Sequence, residues 1–130
     1  MDDNAVIDND DVLVSVETEF IGVQQDGDKD HYIFSYTINI DNQSELNLQL
    51  LSRYWLITDG NAKISTVVGE GVVGEKPHIA TGASYQYSSG CALETPVGTM
   101  EGYYLMVDTE KQSHKVHIPV FRLAVPGILN

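Results

Sequence analysis

The chain is predicted to be all-β, an antiparallel sandwich of the fibronectin type III or immunoglobulin type, on three observations. Beyond residue 11, apolar residues recur at every second position in successive strand-like runs. Clusters of Asp, Asn, Gly, Ser and Pro interrupt those runs at the short spacing of a sandwich. No window carries a sustained apolar face at i, i+3, i+4 and i+7, so no amphipathic helix is expected.

Residues 1–11 are acidic, poor in large apolar side chains and expected to be a flexible, frayed segment, with a single domain over residues 12–130. In the first strand Val12, Val14, Val16, Thr18 and Phe20 share one face and Leu13, Ser15, Glu17 and Glu19 the other. Asp26, Gly27 and Asp28 then turn the chain. The second strand is the cleanest, with Tyr32, Phe34, Tyr36, Ile38 and Ile40 on the core side and a wetter face between them. After a polar turn at residues 41–44, residues 48–58 are apolar on both faces, as in a central strand, with Trp55 in the middle. Asp59, Gly60 and Asn61 signal a hairpin through consecutive positive φ angles, and residues 64–68 form the return strand. Further strands are expected at residues 85–88, 99–107 and 114–120, separated by Ser89-Gly90, by residues 95–98 and by residues 108–113. Pro119 lacks a ladder donor and should lie on an edge or at the end of a short last strand.

Charge narrows the function classes. Lys and Arg number 7 against 19 Asp and Glu, a formal net charge of -12 that opposes a nucleic-acid backbone or an anionic membrane. Ten of the acids lie in residues 1–30, where Lys29 is the only Lys or Arg. The start of the chain has no basic-then-apolar signal pattern and no stretch is long enough to span a bilayer, so a cytoplasmic protein is expected. The single cysteine, Cys91, has no partner for an internal disulfide and reads as a small, buried or half-buried apolar residue.

One motif stands out. Gly69-Glu70-Gly71-Val72-Val73-Gly74 has the spacing of a dinucleotide-binding fingerprint. That fingerprint works by letting a helix N-terminus meet pyrophosphate, and here Pro77 and a polar, turn-rich stretch follow in place of a helix. Gly69, Gly71, Gly74 and Lys76 remain candidates for an anion-cradling nest, although a tight loop that needs positive φ is the preferred reading. Glu94 lies where a ribose-binding acid would be sought, but without a βαβ unit its position is coincidental.

Weaker patterns dissolve on inspection. Asp26, Asp28 and Asp30 copy the opening of a calcium loop, yet His31 stands at its glycine position and Thr37 at its glutamate, which leaves a solvated hairpin turn. His114 and His117 are three apart, so on a strand they face opposite ways and cannot share a metal; both are expected at the surface. His78, beside the glycine-rich loop, reads as an exposed loop residue able at most to donate a hydrogen bond or ligate weakly. Trp55 with Arg53 reads as a core tryptophan with a rim arginine. If Leu51, Arg53, Trp55 and Ile57 face inward, then Leu50, Tyr54 and Leu56 form an outward apolar strip, the candidate partner-binding site. No nucleophile, general base or metal-ligand set emerges, and no cofactor is expected.

The phrases at residues 53–61, 69–74, 85–90, 94–100 and 118–126 closely resemble the bacterial ApaG family, and the resemblance extends over roughly residues 12–128. It implies a fibronectin type III-like sandwich, in agreement with the alternation. The family takes its name from the neighbourhood of a diadenosine tetraphosphate hydrolase and is associated with cobalt and magnesium efflux, neither of which is a mechanism. Related domains in eukaryotic F-box and polymerase-interacting proteins imply protein binding. The expectation is therefore a non-enzymatic interaction module with a protein partner, a monomer or weak homodimer, binding neither nucleic acid nor membrane. The alternative is a sensor of a nucleotide, pyrophosphate or divalent cation.

Overall fold

The computed structural model describes residues 5–128, which form nine strands and no helix. They are β1 (Val6–Asp8), β2 (Val12–Asp26), β3 (Lys29–Asn42), β4 (Leu48–Asp59), β5 (Ile64–Glu70), β6 (His78–Ile79), β7 (Ser84–Leu93), β8 (Val97–Val107) and β9 (Ser113–Ala124). The larger sheet has the order β1-β9-β8-β4-β5, with β6 also paired to β4, and the smaller sheet is β2-β3-β7. Every pairing is antiparallel except that of β1 with β9. Val6–Asp8 lies within the segment expected to fray, yet it pairs with residues 113–115 of β9, while residues 1–4 fall outside the described part.

The period-two pattern sets the core. Phe34, Tyr36, Ile38 and Ile40 of β3 are all buried, and they meet Trp55, Met100, Tyr104, Val116 and Ile118 of the opposing sheet. Tyr36, Trp55 and Phe121 form an aromatic cluster with ring centroids 5.5 to 5.8 Å apart and steeply inclined planes, the edge-on geometry that the ring quadrupoles favour. Two buried phenols, Tyr87 of β7 and Tyr104 of β8, bond to each other at 2.5 Å across the sandwich. Burial pushes both hydroxyls well above the usual tyrosine value, so they stay neutral and satisfy one another.

Turn chemistry differs in detail from the pattern. Gly27 has φ 66° as the first residue of a two-residue β2–β3 loop, a type II′ arrangement and the solvated turn expected there. At the β4–β5 hairpin the positive φ falls on Ala62 (65°), because the loop has three residues and ends in a left-handed position. Asp59 Oδ1 accepts from the N–H groups of Asn61 and Lys63 and fixes that turn. Strand β7 runs straight through Ser89 and Gly90, which were expected to separate strands. Strand β9 has 12 residues and is not short. Pro119 is tolerated in its interior because the β8–β9 register slips there, and β1 covers β9 only as far as Lys115.

Candidate interaction site

A bulge in β4 decides which residues line the outer surface of the larger sheet. The β4–β8 register shifts between Leu50 and Ser52, so the two sides of Leu51 are in opposite phase. Leu48 and Leu50 therefore point inward, and after the bulge Trp55 does. Leu50 is fully buried, which corrects its assignment to an outward strip; a single extra residue moves it to the other face. Tyr54 and Leu56 keep the expected outward phase and are half-buried.

Tyr54 stands opposite Tyr103 of β8, and their rings stack at 5.0 Å with planes 22° apart. Lys115 Nζ, one strand further on, sits 4.4 Å from the Tyr103 ring centroid, within range of a cation–π attraction. Leu105 faces Ser52 and Lys115 in the ladder, Leu56 faces Glu101, and Val68 of β5 faces Tyr54. Val68 is 74% exposed. At the far rim His117 Nε2 lies 3.5 Å from Asp8 Oδ1. The result is a flat aromatic and aliphatic strip bordered by one basic and two acidic positions. Among the described residues, no strand packs over it.

The glycine-rich loop beside this face is closed upon itself. Gly71 (φ 65°) donates its N–H to Leu51 O at 2.8 Å, and a Cβ at this position would run into the Glu75 carbonyl. Val72 is fully buried and exchanges two backbone bonds with Glu75, at 2.8 and 2.9 Å. Val73 (φ 48°) and Gly74 (φ 79°) are the two central residues of that turn, a type I′ hairpin. Gly69 is small for a different reason: the Arg53 guanidinium lies on it, donating to Glu70 O at 3.1 Å and Gly71 O at 2.9 Å. Lys76 Nζ is 3.1 Å from Glu70 Oε1. Of the loop's donors, the Gly71 amide is thus bonded to β4, those of Val72 and Glu75 to each other's carbonyls, and the Lys76 ammonium lies beside Glu70.

Other sequence candidates are dispersed. His78 is exposed at the start of β6, on a cleft of about 530 Å³ shared with Leu48, Val107, Asp108 and Lys111. His114 is buried, contrary to the surface position expected for it. Its Nε2 lies 3.0 Å from Asp108 Oδ2 and its Nδ1 lies 3.4 Å from Asn9 Nδ2, which ties the β8–β9 turn to the chain entering β2. The hydrogen bond from His114, followed by that from the Gln112 N–H, holds the Asp108 carboxyl below its ordinary value. The signal was present in the sequence, since His114 shares the alternation phase of buried Val116 and Ile118. Among the described residues no cluster of three His, Cys, Asp or Glu side chains could hold a metal ion. Burial pushes the Cys91 thiol up to about 11, far from the thiolate range.

The family sequence model described as ApaG domain matches residues 22–108. The chain belongs to the ApaG domain family. Protein ApaG of Enterobacter sp. (strain 638) is 49% identical over 125 residues, covering 96% of this chain and all of that one. Protein ApaG of Erwinia tasmaniensis is 49% identical over 114 residues, with 88% and 91% covered. An X-ray structure of a Northeast Structural Genomics Consortium target superposes with TM-score 0.89 at 46% identity, over 92% of this chain and 90% of that one. A crystal structure titled as the putative ApaA protein from Bordetella pertussis gives TM-score 0.83 at 39% identity, over 94% and 99%. The ApaG sandwich expected from the resemblance is thus the fold observed.

Proposed function

We propose that this ApaG-family chain is a non-enzymatic protein-interaction module that binds through the outer face of its larger sheet, centred on Tyr54 and Leu56. The observation that carries the reading is the Tyr54–Tyr103 stack, set in a flat surface with Leu56, Leu105 and Val68. Rigid aromatic side chains lose little conformational entropy on binding and supply large contact area, which is why they anchor protein interfaces. In this reading the module works in the cytoplasm without a cofactor, and catalysis has no part in its role. Affinity capture from a bacterial lysate with the wild-type chain and with a folded Tyr54→Ala, Leu56→Ala double variant tests it. A specific partner retained by the first and lost from the second supports the reading. Equal retention by both, or no specific partner, refutes it.

A further inference from the structure

Beyond that reading, we infer that β5 is an edge through which two copies of this chain pair, joining their larger sheets into one. Sheet edges in stable proteins are usually blunted by shortness, charge, proline or bulges, because unpaired backbone groups template association. Three edges of this sandwich follow that rule. β1 has three residues, β2 carries exposed Glu17 and Glu19 and a register slip after Phe20, and β7 presents Ser84, Gln86, Ser88 and Ser89. β5 does not. From Ile64 to Gly69 it contains no charge and no proline, and Ile64, Val67 and Val68 are 60, 40 and 74% exposed.

Its free groups can be assigned. Asp59 N–H bonds Lys63 O at one end of the β4–β5 ladder and Gly71 N–H bonds Leu51 O at the other. Alternation between those points makes Ser65, Val67 and Gly69 spend their backbone groups on β4, whereas Ile64, Thr66 and Val68 turn theirs to the open side. The Glu70 carbonyl is occupied by Arg53, which marks where the open stretch stops.

Charge selects a second copy as the occupant. Asp8, Asp10, Asp11, Glu17, Glu19 and Asp26 lie on β1, on β2 and between them, at the opposite edges of the two sheets from β5. Joining β5 to β5 therefore keeps these six carboxylates of each copy far from those of the other. The strand is flanked by Lys63 and Glu70, so antiparallel pairing about a two-fold axis sets each lysine near the glutamate end of the other copy, with no like charges opposed. The register that uses all three open positions places Thr66 opposite itself on the axis and Ile64 opposite Val68 of the second copy, twice. This interface aligns two Tyr54–Tyr103 strips in a continuous surface.

Sedimentation of the full chain from about 10 μM to about 1 mM, the range expected of a small edge contact, tests the pairing. The wild type should pass from the monomer mass to twice that mass. Val68→Lys changes an exposed side chain only, so the fold persists while dimerisation weakens at least about tenfold through the loss of both Ile64–Val68 contacts. Thr66→Cys should give a disulfide-linked dimer on mild oxidation, because directly opposed Cα atoms fall within bridging range, whereas the wild type with Cys91 alone should not. A wild type that stays monomeric throughout, a dimer that Val68→Lys leaves intact, or an edge that binds only extended peptides of other sequence would each overturn the inference.

Discussion

The glycine-rich loop and the outer sheet face are neighbours, yet they are opposites in how their polar and apolar groups are used. In the loop, the Gly71, Val72 and Glu75 amides, the Arg53 guanidinium and the Lys76 ammonium all have internal partners, and Val72 is fully buried. On the face, Tyr54, Tyr103 and Val68 lie toward solvent, and along β5 the backbone groups of Ile64, Thr66 and Val68 turn away from β4. A motif catches the eye by its spacing, but spacing says nothing about whether its donors are already committed. In the part with a motif the Gly71, Val72 and Glu75 amides are already bonded, and in the part with no motif the backbone groups of Ile64, Thr66 and Val68 face away from β4.

Gly102 lies in β8 opposite Trp55 and next to Tyr103, where an added methyl should do the most damage. A side chain there would collide with the Tyr54 carbonyl, backbone that cannot swing aside. Gly102→Ala should cost more than about 3 kcal/mol in urea unfolding and disrupt the face with it. Two alanine variants probe the loop. Gly71→Ala meets both positive φ and the Glu75 carbonyl, so about 1–3 kcal/mol should be lost without any ligand present. Gly74→Ala has positive φ but open space around it, and should cost about 1 kcal/mol. Equal stability of Gly71→Ala and wild type in urea melts would contradict the structural account of the loop.

Acid should act away from both regions, at the β8–β9 turn. The folded Asp108 carboxyl is held below its ordinary value, so its contribution to stability is present above the unfolded value near pH 4 and is lost as pH falls through the folded one. Melting temperatures recorded from pH 7 to pH 2.5 should therefore fall below about pH 4 less steeply for Asp108→Asn than for wild type. Variants of the face itself should show in binding more than in stability. Tyr54 and Leu56 are half-buried, and the Tyr54→Ala, Leu56→Ala variant should remain folded with a loss of about 1–3 kcal/mol, its main change being partner retention.

Much of the fold was legible because alternation is a local property. The β3 core residues Phe34, Tyr36, Ile38 and Ile40 could be read directly from their spacing. The departures came where a long-range partner overrides local pattern. The bulge at Leu51 is a mismatch between β4 and β8 that the β4 side chains do not announce, and it moved Leu50 from the surface to the core. β1 was missed because Val6 and Ile7 are two apolar residues in an acidic stretch, and a three-residue strand exists only through its pairing with β9. Of the candidate site, Tyr54 and Leu56 were visible as outward positions, but Tyr103 and Lys115 were not, since only the sheet order sets them beside Tyr54. Gly69 likewise looked like part of a phosphate motif until Arg53, its cross-strand neighbour, was seen to lie on it.

Residue-resolved amide hydrogen exchange, at the lowest workable protein concentration, tests the central contrast most directly. The Gly71, Val72 and Glu75 amides should be protected, and those of Ile64, Thr66 and Val68 should exchange at rates close to those of an unstructured chain. Fast exchange at Gly71 and Val72 together with protection at Thr66 and Val68 would contradict the account, because the loop would then be open and the edge closed.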